Sequence, residues 1–157
     1  MIAVLQRVKK ATVYADGDFS GKCDRGLFIL LGVMEGDSEN DSLLLAEKIS
    51  KMRIFSDENG KMNLSVCDVD GGALVVSNFT LGANYVHGNR PDFLSSAKPE
   101  IANFLYEKFI FFLEKRIKNV QSGIFGADMM IESVCDGPVT IVMDSVKLRK
   151  EQKGKNQ

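Results

Sequence analysis

Two short segments contain the residue types in this chain that could do chemistry: Ser77-Asn78-Phe79-Thr80-Leu81 and Gly137-Pro138-Val139-Thr140. The first ends an apolar run and the second enters another, so each lies at the end of a predicted strand. Small hydroxyl residues or a Gly-Pro corner at such a place leave backbone N–H and C=O groups pointing into a cleft. The pair therefore predicts a pocket lined by backbone groups.

Conventional sets of catalytic side chains are nearly absent from this sequence. His87 is the single histidine, so a metal site made of several histidines is excluded and at most one Ser-His-acid triad could form. Ser77 and Thr80 carry alcohols, but no base lies near them in sequence, and each alone is more simply a strand-end hydroxyl. Backbone N–H groups can instead stabilise an oxyanion and hold a labile ester. The sequence therefore favours catalysis by backbone groups that position the substrate, without a catalytic side chain.

Length and composition indicate one globular domain. A chain of 157 residues, 45% hydrophobic and 26% charged, can bury a core without disulfides. The cysteines Cys23, Cys67 and Cys135 are widely spaced, and we expect buried free thiols. The N-terminus becomes charged at Arg7, and no apolar run approaches the roughly 20 residues of a membrane span. We expect a cytoplasmic protein without membrane contact.

Charge is unevenly distributed along the chain. The net charge of −1 argues against non-specific coating of nucleic acid. The last eleven residues carry five basic residues and one acid, so they hold +4, and residues 1–146 hold −5. We therefore expect a single domain over residues 1–146 and a basic, flexible C-terminal tail over residues 147–157. The tail could contact a polyanion, although a solvated terminus is the simpler interpretation.

Alternation and turn residues predict about seven strands and two helices. The dipeptide Asp16-Gly17 predicts a hairpin between the first strands. Ser38 is a candidate N-cap of a helix to about Lys51, and Pro99 fits the first turn of a helix to about Lys118. The predicted strands are residues 2–8, 11–15, 27–33, 53–55, 73–79, 129–134 and 139–144, and residues 62–66 are a weak extended segment. The fold class is α/β in the mixed α+β sense, with a barrel-like, mostly antiparallel β-sheet and two packed helices.

An ordered series of motifs resembles the D-aminoacyl-tRNA deacylase family, also described as D-tyrosyl-tRNA(Tyr) deacylase, over residues 1 to about 145. Any one motif is weak, but the order is specific. The motifs are Ala3-Val4-Leu5-Gln6-Arg7-Val8, Leu30-Leu31-Gly32-Val33, Lys61-Met62-Asn63-Leu64-Ser65, Ser77 to Leu81, Asn89-Arg90-Pro91, Phe125-Gly126-Ala127-Asp128-Met129 and Asp136 to Thr140.

The resemblance implies a barrel-like homodimer that hydrolyses the ester between a D-amino acid and the 3′-terminal adenosine of tRNA. It also implies removal of glycine mischarged on tRNA-Ala, and so a chirality-proofreading role. The partners implied are the 3′ end of aminoacyl-tRNA and a second copy of the chain, with no DNA. No cofactor and no metal are implied. The 2′-OH of the terminal adenosine is implied to assist the attacking water, which suits a sequence with few bases.

The same resemblance assigns roles to the two segments. The main-chain N–H groups of Phe79 and Thr80 are the implied catalytic donors. Gly137 and Pro138 of the partner subunit, joined by a cis peptide, form the implied chirality filter, supported by Val139 and Thr140. The implied substrate-binding residues are Ser77, Asn78, Leu81, Phe125 and Met129.

Two alternatives stay open. The family usually has glutamine where this chain has Asn78, and the segment from Gly82 to Asn89 is less basic than usual. An RNA-binding module of the same fold with lost or altered hydrolysis is therefore an alternative. A generic esterase that uses Thr80 with His87 is another.

Overall fold

The computed structural model describes residues 1–155, with side chains through residue 151. It has eight strands, three α-helices and one 3-10 turn in these residues. The strands are β1 (Ile2–Ala15), β2 (Asp18–Cys23), β3 (Gly26–Gly32), β4 (Phe55–Ser56), β5 (Met62–Leu64), β6 (Gly72–Ser77), β7 (Val120–Ser122) and β8 (Met129–Asp144). The helices are α1 (Glu39–Ser50), α2 (Pro99–Glu114) and α3 (Ser145–Lys155), and the 3-10 turn is Phe79–Gly82.

Strand β1 is the centre of the sheet. Its first half, from Ile2 to Val8, pairs with β3, and its second half, from Ala11 to Ala15, pairs with β2. Strand β8 pairs with both halves along the other edge. All three pairings are antiparallel. The sequence predicted two strands where β1 is one, because Lys9 and Lys10 interrupt the apolar alternation at the point where the partner changes.

The sheet curls into a nearly closed barrel. Beyond β3 the order continues through β6 and β7, and both of these pairings are parallel. Strand β7 returns to β2, where the Ser20 hydroxyl donates to the Ser122 carbonyl at 3.1 Å and the Gln121 amide oxygen accepts from Lys22 N–H at 2.8 Å. The predicted mixed fold with a barrel-like, mostly antiparallel sheet is confirmed.

A pair of glycines allows β3 and β6 to approach at their start. A Cβ atom on Gly26 would lie 2.0 Å from the carbonyl oxygen of Gly72, well inside van der Waals contact. Gly26 and Gly72 are the first register pair of this parallel ladder. The ladder ends at Leu31 and Ser77, so the glycines set where the last residue of β6 lies.

Helices α1 and α2 pack on one face of the sheet and on each other. The Ser42 hydroxyl of α1 donates to the Leu105 carbonyl of α2 at 3.0 Å. Ser38 and Asp41 form the capping box that begins α1, and Pro99 is in the first turn of α2, as expected from the sequence. The shared core is fully buried and includes Leu5, Ile29, Leu45, Ile49, Val75, Phe109 and Leu113.

A third helix is present in addition to the two predicted ones, and the flexibility of residues 147–157 stays a prediction. Lys147 to Lys155 belong to α3, while residues 156 and 157 of that predicted tail lie outside the described residues. The helix is anchored because Arg149 pairs with the buried Asp41 at 3.2 Å. Burial alone would raise the pKa of Asp41, but hydrogen bonds from Ser145 and Ser38 hold it below the usual value. The domain boundary at residue 146 stays a prediction.

The described helices include none that is both long and apolar enough to cross a membrane.

Candidate functional site

The first predicted segment forms the end of β6 and the turn that follows. Asn78 N–H donates to the Leu31 carbonyl at 2.8 Å, the last backbone bond beside β3. Asn78 then takes the N-cap position of the 3-10 turn, and its side-chain oxygen accepts from Thr80 N–H at 3.1 Å and from the Thr80 hydroxyl. An asparagine favours this arrangement because its short amide reaches the backbone two residues ahead.

Two glycines allow the turn to pack closely against its neighbours. A Cβ atom on Gly32 would lie 2.9 Å from the Asn78 carbonyl oxygen and 3.0 Å from the Leu81 Cβ atom. A Cβ atom on Gly82 would lie 2.4 Å from the Ser96 hydroxyl. Any side chain at either glycine would push the turn outward, so the position of Phe79 and Thr80 depends on both.

Ser95 and Ser96 fix the carbonyl groups at the two ends of the turn. The Ser96 hydroxyl donates to the Phe79 carbonyl at 2.8 Å, and the Ser95 hydroxyl donates to the Gly82 carbonyl at 2.6 Å. Neither serine is among the residues predicted from the sequence. In the sequence, two serines shortly before Pro99 are typical of a loop that precedes a helix. Only their contacts in the folded structure show their role.

The serine loop is itself held by the segment between β3 and α1. Glu35 N–H donates to the Ser95 carbonyl at 2.8 Å, and Met34 N–H donates to the Asp37 carboxylate at 2.6 Å. That carboxylate also pairs with the buried ammonium group of Met1 at 2.6 Å. A connected set of polar contacts therefore extends from the core to the turn.

The two predicted catalytic N–H groups differ in their surroundings. Thr80 N–H already donates to the Asn78 side chain. Among residues 1–155, no acceptor is found for Phe79 N–H, and the Phe79 side chain is 60% exposed. Of the two groups, Phe79 N–H is thus the one that a substrate oxygen could bind without displacing another acceptor.

The Thr80 hydroxyl is not paired with a base. It donates to the Asn78 amide oxygen, which cannot take a proton at neutral pH. His87 is exposed, and no hydrogen bond joins it to Thr80 in the part of the chain that has described side chains. The geometry gives no support to a Thr80–His87 esterase.

Phe125 and Met129 lie beside the end of β6. Tyr106 of α2 donates to the Val75 carbonyl at 2.9 Å and lies 3.1 Å from the Gly123 carbonyl oxygen, and its ring packs against Phe125 at a centroid distance of 6.0 Å. Burial raises the pKa of Tyr106, so the phenol stays protonated. Met129 packs on a cluster of buried apolar residues in the barrel that is separate from the core shared with α1 and α2. Phe125 and Met129, the two implied substrate-binding residues outside the turn, are therefore near the strands that support the turn.

The second predicted segment is a bulge in β8. Gln6 pairs with Thr140 and Val8 with Cys135, so residues 136–139 stand opposite Arg7 alone. The peptide bond between Gly137 and Pro138 is cis. Gly137, Pro138 and Thr140 are exposed, and Val139 is half-buried against the core.

Arg7 fixes this bulge at its base. Its Nε atom donates to the Asp136 carbonyl at 3.0 Å and lies 3.2 Å from the Asp136 carboxylate, and its guanidinium also donates to the Ile54 carbonyl at 2.6 Å. Arg7 was part of a sequence motif, but its role was not predicted. No hydrogen bond, ion pair or ring contact among the described residues joins the bulge to residues 77–81. Within the described part of one chain, none of these interactions links the two predicted segments.

In the stretch that the structure describes, no three His, Cys, Asp or Glu side chains are arranged to hold a metal ion.

Comparisons with known proteins agree with one another. The family model described as D-Tyr-tRNA(Tyr) deacylase matches residues 4–144. A D-aminoacyl-tRNA deacylase of Dictyoglomus turgidum is 48% identical over 155 residues, covering 99% of each chain. The D-aminoacyl-tRNA deacylase of Anaeromyxobacter dehalogenans is 50% identical over 148 residues, covering 94% of this chain and 99% of its own.

Two solved structures have the same fold. A c-Myc DNA unwinding element binding protein superposes with a TM-score of 0.86 at 37% identity, covering 92% of this chain and 98% of its own. A probable eukaryotic D-amino acid tRNA deacylase superposes with a TM-score of 0.78, covering 91% and 98%. At 17% identity the second likeness bears on the fold alone.

Replacing Tyr106 by phenylalanine tests the support beneath the turn. We expect Tyr106→Phe to lower the free energy of unfolding by about 1–3 kcal/mol, because the buried Val75 and Gly123 carbonyls lose a donor. The raised pKa means that the folded state keeps a proton which the unfolded state releases near pH 10. The stabilisation is therefore complete below about pH 10 and is lost above it.

Urea unfolding of the parent and the variant at about pH 7, 9 and 10.5 measures this difference. The exposed Tyr85→Phe is the matched control and should unfold like the parent. A Tyr106→Phe variant as stable as the parent, or a difference that grows with pH, would contradict the assignment.

Proposed function

The chain belongs to the D-Tyr-tRNA(Tyr) deacylase family, and on that premise we propose that it hydrolyses the ester bond of D-aminoacyl-tRNA. The products are a free D-amino acid and tRNA. The observation that carries this proposal is the exposed, rigidly held backbone turn at Phe79, in a region without a catalytic base. Such a turn suits a labile ester, which needs placement more than a strong nucleophile. We also propose glycine mischarged on tRNA-Ala as a substrate, because it lacks a side chain to exclude.

In the proposed mechanism the Phe79 N–H group donates to the ester carbonyl oxygen. A water molecule adds to the carbonyl carbon, the oxygen becomes an oxyanion, and the bond to the ribose 3′ oxygen breaks as that oxygen takes a proton. One backbone donor of this kind contributes about 2.7–4 kcal/mol to lowering the barrier. The 2′-OH of the terminal adenosine assists the water. Ser77, Asn78, Leu81, Phe125 and Met129 bind the adenosine and the aminoacyl group.

Thr80 has a conditional part in this mechanism. Its N–H group can donate to the substrate only when it leaves the Asn78 side chain, to which it is bonded at 3.1 Å. The family usually has glutamine where this chain has the shorter Asn78. We propose that the Asn78 side chain keeps Thr80 N–H hydrogen-bonded, so that this donor is not free for the substrate. Phe79 then provides the main donor.

We assign selection of the D configuration to Gly137 and Pro138 of a second subunit, with Val139 and Thr140 as support. The bulge that holds them is exposed and is anchored by Arg7, so it can meet another molecule without losing its shape. No hydrogen bond, ion pair or ring contact among the described residues joins the bulge to residues 77–81 within one chain, and this supports a cross-subunit site. The backbone there would bind the substrate amino group and leave no room for an L side chain.

A homodimer follows from the same strand. Several apolar side chains of β8 are exposed, and a solvated apolar strand with a free edge is rare in a monomer. They are Met130, Ile131, Val134 and Val142. We propose that β8 contacts a second copy, that the partners are that copy and the 3′ end of aminoacyl-tRNA, and that the protein acts in the cytoplasm.

The deacylation assay tests the activity. Incubation with D-tyrosyl-tRNA and L-tyrosyl-tRNA should release D-tyrosine only. His87→Ala should retain the parent rate, because His87 is exposed and no hydrogen bond among the described residues joins it to the turn. Equal release of both tyrosines would contradict the proposal. Binding of tRNA without any release, restored to hydrolysis by Asn78→Gln, would instead establish the RNA-binding alternative.

Changing Val142 to glutamate tests the homodimer. Val142 is 68% exposed in one chain, so Val142→Glu should fold normally but place a charge in the proposed subunit contact, at a cost that separates the subunits. We expect sedimentation equilibrium to give twice the chain mass for the parent and the single chain mass for the variant, with loss of D-tyrosine release.

Ile101→Glu, at a half-exposed apolar residue of α2, is the matched control for Val142→Glu and should remain dimeric. A parent protein that is monomeric and fully active would refute the cross-subunit site.

A further inference from the structure

A group of apolar side chains is exposed around the end of the 3-10 turn. Phe79 is 60% exposed, Tyr85 76%, Val86 75% and Leu94 87%. Phe93 packs edge-on against the Phe79 ring at a centroid distance of 5.0 Å. We call these five residues the loop platform. Phe93 contacts the turn through the Phe79 ring, and Tyr85 and Val86 follow the turn in the chain. Apart from Phe79, the members of the platform are not explained by the ester chemistry.

The loop that carries the platform is well ordered by its own hydrogen bonds. Asn84 and Asp92 exchange two backbone hydrogen bonds at 2.8 and 2.9 Å, and the Asn84 side-chain amide donates to the Asp92 carboxylate at 3.0 Å. The same two side chains accept from Val86 N–H and Leu94 N–H, each at 3.2 Å. The platform is thus presented in a fixed shape, which lowers the ordering cost of binding.

We propose that the loop platform stacks the bases of the unpaired nucleotides that precede the terminal adenosine of the substrate RNA. This inference rests on the proposed function. If the ester lies at Phe79 N–H, the RNA strand must leave the site over adjacent surface, and the platform is continuous with the turn through the Phe79 ring. Bases stack on aromatic faces without sequence preference. Tyr85, the most exposed aromatic residue of the platform, is the main contact.

Charge in this loop favours stacking over phosphate binding. Between residues 83 and 94 the ionised side chains are Arg90 and Asp92, and Asp92 is engaged within the loop. Arg90 can therefore meet one phosphate. The contribution of the platform to binding should depend only weakly on salt, with a slope near that of a single phosphate contact.

Two substrates separate the platform from the ester site. D-tyrosyl-tRNA carries the preceding nucleotides, whereas the D-tyrosyl ester of adenosine lacks them. We expect Tyr85→Ala to raise KM for D-tyrosyl-tRNA by about 5- to 150-fold, the loss of one stacked base, with kcat unchanged. Its kinetics on D-tyrosyl-adenosine should match those of the parent. Tyr85→Phe keeps the ring and should restore the parent KM, and Ile101→Ala, on α2, controls for loss of an exposed apolar side chain.

Each other outcome has a definite meaning. A parent that hydrolyses neither D ester refutes the proposed function itself. A parent with equal KM on both substrates, or a Tyr85→Ala effect that is absent or equal on both, overturns the platform while leaving the deacylase intact. A change of oligomeric state in Tyr85→Ala, seen by sedimentation, would show that the surface joins two copies of the chain and would also overturn it.

Discussion

Strand β1 has two edges that must be hydrogen-bonded over fourteen residues, and the rest of the molecule is arranged around that requirement. Strands β3 and β2 share one edge, and β8 has to cover the other alone. Near Arg7 the β8 ladder loses register, and four residues of β8 stand opposite one of β1. The barrel therefore carries an outer strand with a fixed bulge and an apolar surface that no other described element of the chain covers.

The turn at Phe79 depends on that barrel in a different way. The parallel ladder of β3 and β6 determines where β6 ends, and two glycines let the turn approach its neighbours. Serine hydroxyls then satisfy the turn's carbonyl groups, and the serine loop is held by the segment that pairs with the buried Met1 ammonium. A backbone donor is useful in catalysis only when it is fixed before the substrate arrives. These contacts supply that rigidity, and the ionised pair of Met1 and Asp37 lies in the supporting segment and not in the turn itself.

The sequence was informative where structure is local. The hairpin at Asp16 and Gly17 and the beginnings of α1 and α2 follow from capping and turn patterns, whereas the 3-10 turn from Phe79 to Gly82 stands where the predicted strand 73–79 was expected to continue. It was misleading where contacts between residues distant in sequence determine the structure. Lys9-Lys10 and the Gly-Pro bulge look like the ends of strands, but pairing with neighbouring strands makes β1 and β8 continuous there. The lysine-rich end looks like a solvated tail, yet Arg149 meets Asp41 and the segment is helical. Ser95 and Ser96 show their role only in three dimensions.

The account requires a site made from the Phe79 turn of one subunit and the Gly137-Pro138 bulge of another. A crystal structure with the amide analogue of D-tyrosyl-adenosine, in which nitrogen replaces the ester oxygen, tests it most directly. We predict that the ligand carbonyl oxygen lies about 2.9 Å from the Phe79 nitrogen and that its amino group contacts the bulge of the second copy. A ligand bound by one chain alone, with the second copy's bulge distant, would contradict the account.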